Sequence, residues 1–150
     1  MREILFRGKG LNTGKWIDGF YVYHINRTPS PIGDELRPDD EEHLIVKDAF
    51  SDWNMPRGVD CYHVDPKTVG QYTGLKDKNG KRIFEGDIVE CWSEGMKAQG
   101  TVQQRQDGLW IIYPAWQKSI MWGLCPDEYG HTSVEVIGNI HDNPELIGGA

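Results

Sequence analysis

Cys61 and His63 stand two residues apart in Val59-Asp60-Cys61-Tyr62-His63-Val64, and both are zinc-ligand types. On a strand that spacing turns both side chains to one face. A structural zinc site needs four ligands, and His24, His43, His131 and His141 offer no second paired spacing. The pair is therefore read as part of a half-buried strand face. Glu85 and Asp87 flank Gly86, and two carboxylates can share acid and base duties when their surroundings separate their pKa values. The plainer reading is turn chemistry, with Asp87 accepting backbone hydrogen bonds beside a glycine of unusual φ. Cys125 with His131 or His141 supplies the residue types of a nucleophile and its base, but no nucleophile motif surrounds them. Neither a Walker spacing nor a GxGxxG after a strand is present, so nothing cradles a nucleotide. No catalytic residue, metal ligand or cofactor is expected; enzymatic activity is left open but leaned against, with a hydrolase or metal-dependent enzyme using the carboxylates around Glu85 and Asp87 as the third-ranked class.

Two other groups could make contacts rather than reactions. Lys76, Lys78, Lys81 and Arg82 put four bases into seven residues around Asn79-Gly80. Small barrels with basic loops and aromatic side chains bind nucleic acid, and six Trp and six Tyr could stack on bases. Asp77, Glu85, Asp87 and Glu90 offset that charge nearby. The whole chain has 16 Lys+Arg against 23 Asp+Glu, a net charge of -7, which disfavours binding driven by phosphate neutralisation. The second group is aromatic. Trp110, Trp116 and Trp122 lie around Ile111-Ile112 and Ile120-Met121, with apolar residues on both strand parities. A small barrel has one interior, so an outward set of Trp110, Ile112 and Met121 must meet either the N-terminal region or a second copy. This is the main sign of self-association.

These side chains need short strands to hold them. Eighteen Gly and eight Pro punctuate 150 residues, which makes long helices costly. Ile4 to Phe6, then Trp16-Ile17 and Phe20 to Tyr23, read as two strands around a turn at Asn12-Thr13-Gly14. Residues 39–55 are ambiguous. Val46, Ala49, Phe50 and Trp53 fall at helical spacing, yet Leu44-Ile45-Val46 favours a strand over 43–47, with at most a helical turn before Pro56. Residues 59–64 read as another strand. Asn79-Gly80 is the preferred pair for a type I′ turn, in which both central residues take positive φ. Strands are expected from Ile88 onward, then over 100–105, 109–113, 119–124 and 133–140, the scale of an SH3-like barrel. Asn143-Pro144 starts a single helical turn.

The charge is uneven. Residues 34–43 hold Asp34, Glu35, Asp39, Asp40, Glu41 and Glu42 against Arg37 alone, so this stretch carries -5 of the -7. It reads as a solvated loop. No EF-hand spacing makes it a calcium site. Three cysteines without a CxxC pair fit a reducing compartment. No run is long and apolar enough to span a bilayer, and the N-terminus lacks a signal-peptide core. Cytoplasmic location and no membrane partner are expected.

Three segments together carry a resemblance. They are Arg2-Glu3-Ile4-Leu5-Phe6-Arg7, the long stretch from Val69-Gly70-Gln71-Tyr72-Thr73-Gly74-Leu75 through Lys76-Asp77-Lys78-Asn79-Gly80-Lys81-Arg82-Ile83-Phe84-Glu85-Gly86-Asp87-Ile88-Val89, and Val136-Ile137-Gly138-Asn139-Ile140-His141-Asp142-Asn143-Pro144-Glu145-Leu146-Ile147. The chain resembles the YopX family of phage and prophage proteins. The resemblance implies a small, mostly β protein of a bacterial host cell. It supplies no catalytic or binding residues to carry over. Gly8-Lys9 departs from the Ala-Trp-Asp type of continuation expected in the family, so details of the first turn do not carry over.

The expected architecture is all-β, a small N-terminal sheet (1–70) packed on a C-terminal SH3-like barrel (71–150), with a variable acidic insertion over about 24–58. The expected function is that of a non-enzymatic accessory protein. It would act through self-association and contact with a host or phage protein. The alternative is a nucleic-acid-binding small barrel.

Overall fold

The computed structural model describes residues 3–93, 95–113 and 121–147. Among the described residues every regular element but three single 3-10 turns is a strand, and the strand pairings within each of the two units are antiparallel. The chain divides into two units. One is Leu5–Val69; the other is Gly70–Ala150 together with Met1–Ile4. No helix among the described residues is long and apolar enough to cross a membrane.

The N-terminal unit holds β1 (Phe6–Lys9), β2 (Trp16–Ile25), β3 (Glu41–Asp48) and β4 (Val59–His63), each paired with the next. Period-2 alternation sorts its side chains onto two faces. Ile17, Ile45 and Val64 share one face with Gly8 and Gly19, as the register shows. Ile45 and Val64 are fully buried. Past the end of β1, Gly10 bridges Val64, and Leu11 N–H donates to the His63 carbonyl at 2.9 Å. The last strand thus returns to the first, and the inner face is small. Glycine makes that closeness feasible: a Cβ at Gly19 would lie 2.5 Å from the Val46 carbonyl oxygen and 2.8 Å from Ile45 Cγ2.

The ambiguity over 39–55 is resolved in favour of the strand. β3 covers the expected 43–47 with a few residues to spare, and no helical turn follows it. Phe50 and Trp53, half of the helical stripe, stand in solvent. The branched run Leu44-Ile45-Val46 wins because it pairs on both sides, with β2 and β4. The stretch read as a variable insertion therefore contains a central strand of the unit. Its acidic part is a folded loop. Arg27 Nη1 meets Asp34 Oδ2 at 2.8 Å, and Arg27 Nε meets Asp40 Oδ2 at 2.9 Å.

The second unit begins with the hairpin of β5 (Gly70–Lys76) and β6 (Arg82–Phe84). A five-stranded sheet follows, made of β7 (Asp87–Ser93), β8 (Met96–Gln104), β9 (Trp110–Tyr113), β10 (Trp122–Gly123) and β11 (Glu135–Asn139), in the order β10-β9-β8-β7-β11. Among the described residues the end strands β10 and β11 do not pair, so the all-β expectation holds and closure into a barrel is not detected. The segments beside them, Leu124 with Cys125 and Thr132 to Val134, face each other across a cavity of about 30 Å³. The core is Ile83, Val89, Val102, Trp110, Ile112 and Leu124 with smaller neighbours. Pro144–Leu146 forms the expected single turn, a 3-10 turn with Asn143 before it.

Candidate functional site

The basic hairpin is built around one buried carboxylate. Asp77 is 2% exposed. Its Oδ1 accepts the backbone N–H of Asn79 (2.9 Å) and Lys81 (2.8 Å), and its Oδ2 accepts that of Val136 (3.1 Å). Lys78 N–H reaches the Val134 carbonyl at 2.9 Å. The hairpin tip is therefore fastened to the entry of β11 by charge-assisted hydrogen bonds. This corrects the expected type I′ turn. Gly80 has φ 83°, but Asn79 does not take positive φ, since Asn54 is the only non-glycine with positive φ among the described residues. Gly80 N–H closes on the Asp77 carbonyl (3.0 Å), and Asp77 N–H on the Lys81 carbonyl (2.8 Å). The Asp77 side chain holds the N–H of Asn79 and takes over the role that positive φ would play.

The same device occurs a second time. Asp127 Oδ1 accepts the N–H of Tyr129 (2.8 Å) and His131 (3.0 Å), and Gly130 N–H closes on the Asp127 carbonyl (3.1 Å). Hydrogen bonds from the His131 and Tyr129 backbone hold the Asp127 carboxyl below its ordinary value. The two turns lie side by side, with Lys76 N–H on the Gly130 carbonyl (2.9 Å) and Thr132 N–H on the Lys76 carbonyl (2.8 Å). The shared Asp-x-x-Gly pattern was available in the sequence, at 77–80 and 127–130.

Lys76, Lys78, Lys81 and Arg82 all stand exposed on this hairpin. Lys78 Nζ pairs with Glu135 (3.2 Å), and Arg82 pairs with Glu3 (3.2 Å) while its guanidinium lies 5.4 Å from the Tyr72 ring centre. Acids thus accompany the bases in space as they do in sequence.

The aromatic set is rearranged. Trp110 (5% exposed) and Ile112 (0%) are core residues of their own unit, which corrects the expectation that they face outward. The physical reason is parity: Trp110 and Ile112 alternate onto the one face of β9 that joins Val89, Val102, Leu124 and Val134 in the core, and Ile111 lies on the other face. Only Met121 of the three is exposed. Trp116 lies outside the described residues, as do the first two residues of the strand expected over 119–124. The uncovered apolar face is elsewhere. On β2 and β3, Phe20 stands opposite Val46 and Val22 opposite Leu44, on the face away from Ile45. Phe20 and Val22 are exposed, and so are Phe50, Trp53 and Met55 in the loop that follows.

The remaining chemical candidates are placed as follows. Asp87 is buried, and its Oδ2 accepts the Phe84 N–H at 2.8 Å across Gly86, whose φ is 89°. Burial pushes the Glu85 carboxyl up, although the side chain still reaches solvent. The Cys125 thiol donates to the Gly123 carbonyl at 3.7 Å. Cys61 and His63 stand exposed on β4, whose five residues all reach solvent, which corrects the expected half-buried face; together with Gly10, Thr13, Ile17 and Tyr62 they line an open cavity of about 150 Å³. Among the described residues no three His, Cys, Asp or Glu side chains gather as a metal site.

Comparison with known proteins adds the following. No curated protein matches the chain. Among solved structures, the crystal structure of protein EF1440 from Enterococcus faecalis is similar, at 21% identity and a TM-score of 0.47, over 98% of this chain and 99% of that one. The model of the family described as YopX protein matches residues 6–148. With nearly the whole chain matched, this is a member of the YopX family.

Proposed function

We propose that the chain is a non-enzymatic phage or prophage accessory protein that acts in the bacterial cytoplasm through protein–protein contact and self-association. The apolar surface of the N-terminal unit carries this reading. Phe20, Val22, Leu44 and Val46 form one stripe across β2 and β3, and Phe50, Trp53 and Met55 follow it into solvent. Large exposed apolar surface of this kind is characteristic of interaction sites. The test is molar mass by light scattering over rising concentration. A mass that climbs above 17.1 kDa is expected; a particle of that mass at every concentration overturns self-association. Affinity capture from host lysate, with and without nuclease, then separates a protein partner from bridging by nucleic acid. The alternative of a nucleic-acid-binding barrel has less support, because Glu135 and Glu3 accompany two of the four hairpin bases.

A further inference from the structure

The edge strand of the N-terminal unit turns part of its backbone to solvent. β4 pairs with β3 on one side, and all five of its residues are exposed. Val64 N–H donates to the His43 carbonyl at 2.9 Å, and Ala49 N–H to the Gly58 carbonyl at 3.0 Å. These two bonds fix the alternation of the antiparallel pair. Residues 60 and 62 bond inward to β3, and residues 59, 61 and 63 point outward. The His63 carbonyl follows this pattern, since it accepts Leu11 N–H at 2.9 Å on the outer side. Val59 and Cys61 therefore each offer an N–H and a C=O to the free edge. Such a row is a template for another extended chain.

The protein begins a ladder on this outer side and then breaks it off. Asp65 N–H donates to the Lys9 carbonyl at 2.9 Å, Gly10 bridges Val64, and Leu11 bonds His63. In that register Thr13 would face Cys61. The chain turns away first, with Gly14 N–H on the Gly10 carbonyl and Gly10 N–H on the Lys15 carbonyl, both at 2.9 Å. The open cavity of about 150 Å³ lined by Gly10, Thr13, Ile17, Cys61, Tyr62 and His63 lies at this split. A volume of that size holds one benzene ring, and so one phenyl or leucyl side chain.

Charge selects the occupant. Among the described residues the Asp60 carboxylate takes only the Tyr62 hydroxyl, at 3.3 Å. Lys47 stands across from Asp60 on β3, but its ammonium lies over the Tyr62 ring, 5.9 Å from the centre. With a second copy, the antiparallel register that pairs Val59 of each chain with Cys61 of the other sets Asp60 against Asp60. That is the close, non-hydrogen-bonded position, where like charges destabilise. A different chain with a base opposite Asp60 is favoured instead. Asp60 and Tyr62 share a face, so the residue two before that base meets the cavity beside Tyr62. We propose that β4 accepts an antiparallel strand from another protein, with leucine or phenylalanine two residues before lysine or arginine. The apolar side chain enters the cavity at Ile17 and Tyr62, the base meets Asp60, and backbone bonds to Val59 and Cys61 hold the chain. Main-chain bonds supply affinity in such strand addition, and alternate side chains supply specificity. The inference rests on the protein-contact half of the reading above, not on its self-association half.

The test is fluorescence anisotropy of the full chain with a labelled, end-capped peptide, Thr-Leu-Val-Lys-Val-Thr. Binding with a Kd below about 1 mM is expected. Alanine in place of the peptide's leucine is expected to weaken it about tenfold, the loss of a buried leucyl side chain. Glutamate in place of its lysine is expected to weaken it about threefold. N-methylation of the valine after leucine blocks the donor aimed at the Cys61 carbonyl and leaves the protein untouched; a loss of about tenfold is expected. Cys61→Pro removes an outward N–H and spares the β3–β4 ladder. It is expected to abolish binding with the β signal in circular dichroism unchanged, and Cys61→Ala to keep binding. No binding at about 1 mM, or equal binding of the N-methylated peptide, overturns strand addition. Equal binding of the alanine peptide overturns the place given to the cavity. If the peptide fails while the mass climbs with concentration, the edge site falls and self-association stands. If the peptide binds a particle that stays at 17.1 kDa, the edge site stands and self-association falls.

Discussion

Asp77 shows how much one carboxylate can organise when it is buried and satisfied. Its oxygens take three backbone N–H groups from two segments of chain. Removing the carboxylate takes the partner from all three, and because the bonds are part-buried each loss is worth about 1 kcal/mol, the net value of a hydrogen bond. Asp77→Ala is therefore expected to destabilise the protein by about 3 kcal/mol, and Asp77→Asn, which keeps one acceptor oxygen, by distinctly less. Urea unfolding midpoints at constant m-value check the ranking. Trp110 presents the opposite case. Its indole is buried in the core of the second unit, but Nε1 has no hydrogen-bond partner among the described residues. Trp110→Phe removes the unpaired donor together with some packing, so a change within about 1 kcal/mol is expected, whereas Trp110→Ala costs about 3–5 kcal/mol. A loss on Trp110→Phe as large as on Trp110→Ala would show that the N–H, not the ring, carries the stability.

At the scale of elements, the strands were legible where alternation and turn residues agreed, and less so where the deciding partner lay far along the chain. The strand over 109–113 follows from its branched and aromatic run. Which of its faces meets the core does not, because Leu124 and Val134, which join Trp110 and Ile112 there, come more than ten residues later. The acidic stretch reads as a solvated loop because Arg27, which clasps Asp34 and Asp40, falls outside the charged window. Hydrogen bonds from Arg27, then from the Ser30 and Arg37 backbone, hold these two carboxyls below the ordinary 3.8. A depressed folded-state pKa means that the unfolded chain takes up protons first. The contribution is present above the ordinary carboxyl range and is lost as pH falls through the lower folded-state values. Arg27→Gln is expected to lower thermal stability at neutral pH and to flatten its loss below about pH 4. Equal acid dependence with and without Arg27 would remove the clasp from the account. Gly19 makes the corresponding point for packing. Its Cβ would enter the Val46 backbone, so Gly19→Ala is expected to cost about 2–3 kcal/mol by overpacking. A melting curve decides, and a neutral result would mean that β2 and β3 can part without penalty.

For the molecule as a whole, charge is the quantity that separates the two functional readings. Specific contact with a protein needs apolar surface and local complementarity, and tolerates a net charge of -7. Binding to a phosphate backbone needs many uncompensated bases, because each neutralised phosphate releases counterions and makes affinity fall with salt. The hairpin offers four bases, with Glu135 on Lys78 and Glu3 on Arg82, and the rest of the surface is acidic on balance. A five-stranded antiparallel sheet does not alter that arithmetic, since fold alone does not fix function. Fluorescence anisotropy with labelled single-stranded and duplex DNA, at low and at moderate salt, is expected to detect no salt-sensitive binding. Replacing Lys76 and Lys81 by Gln should then change nothing. If binding is found, falls steeply with salt and weakens in that double variant, the hairpin is a nucleic-acid site, and the exposed aromatic surface of the N-terminal unit loses its place as the working face.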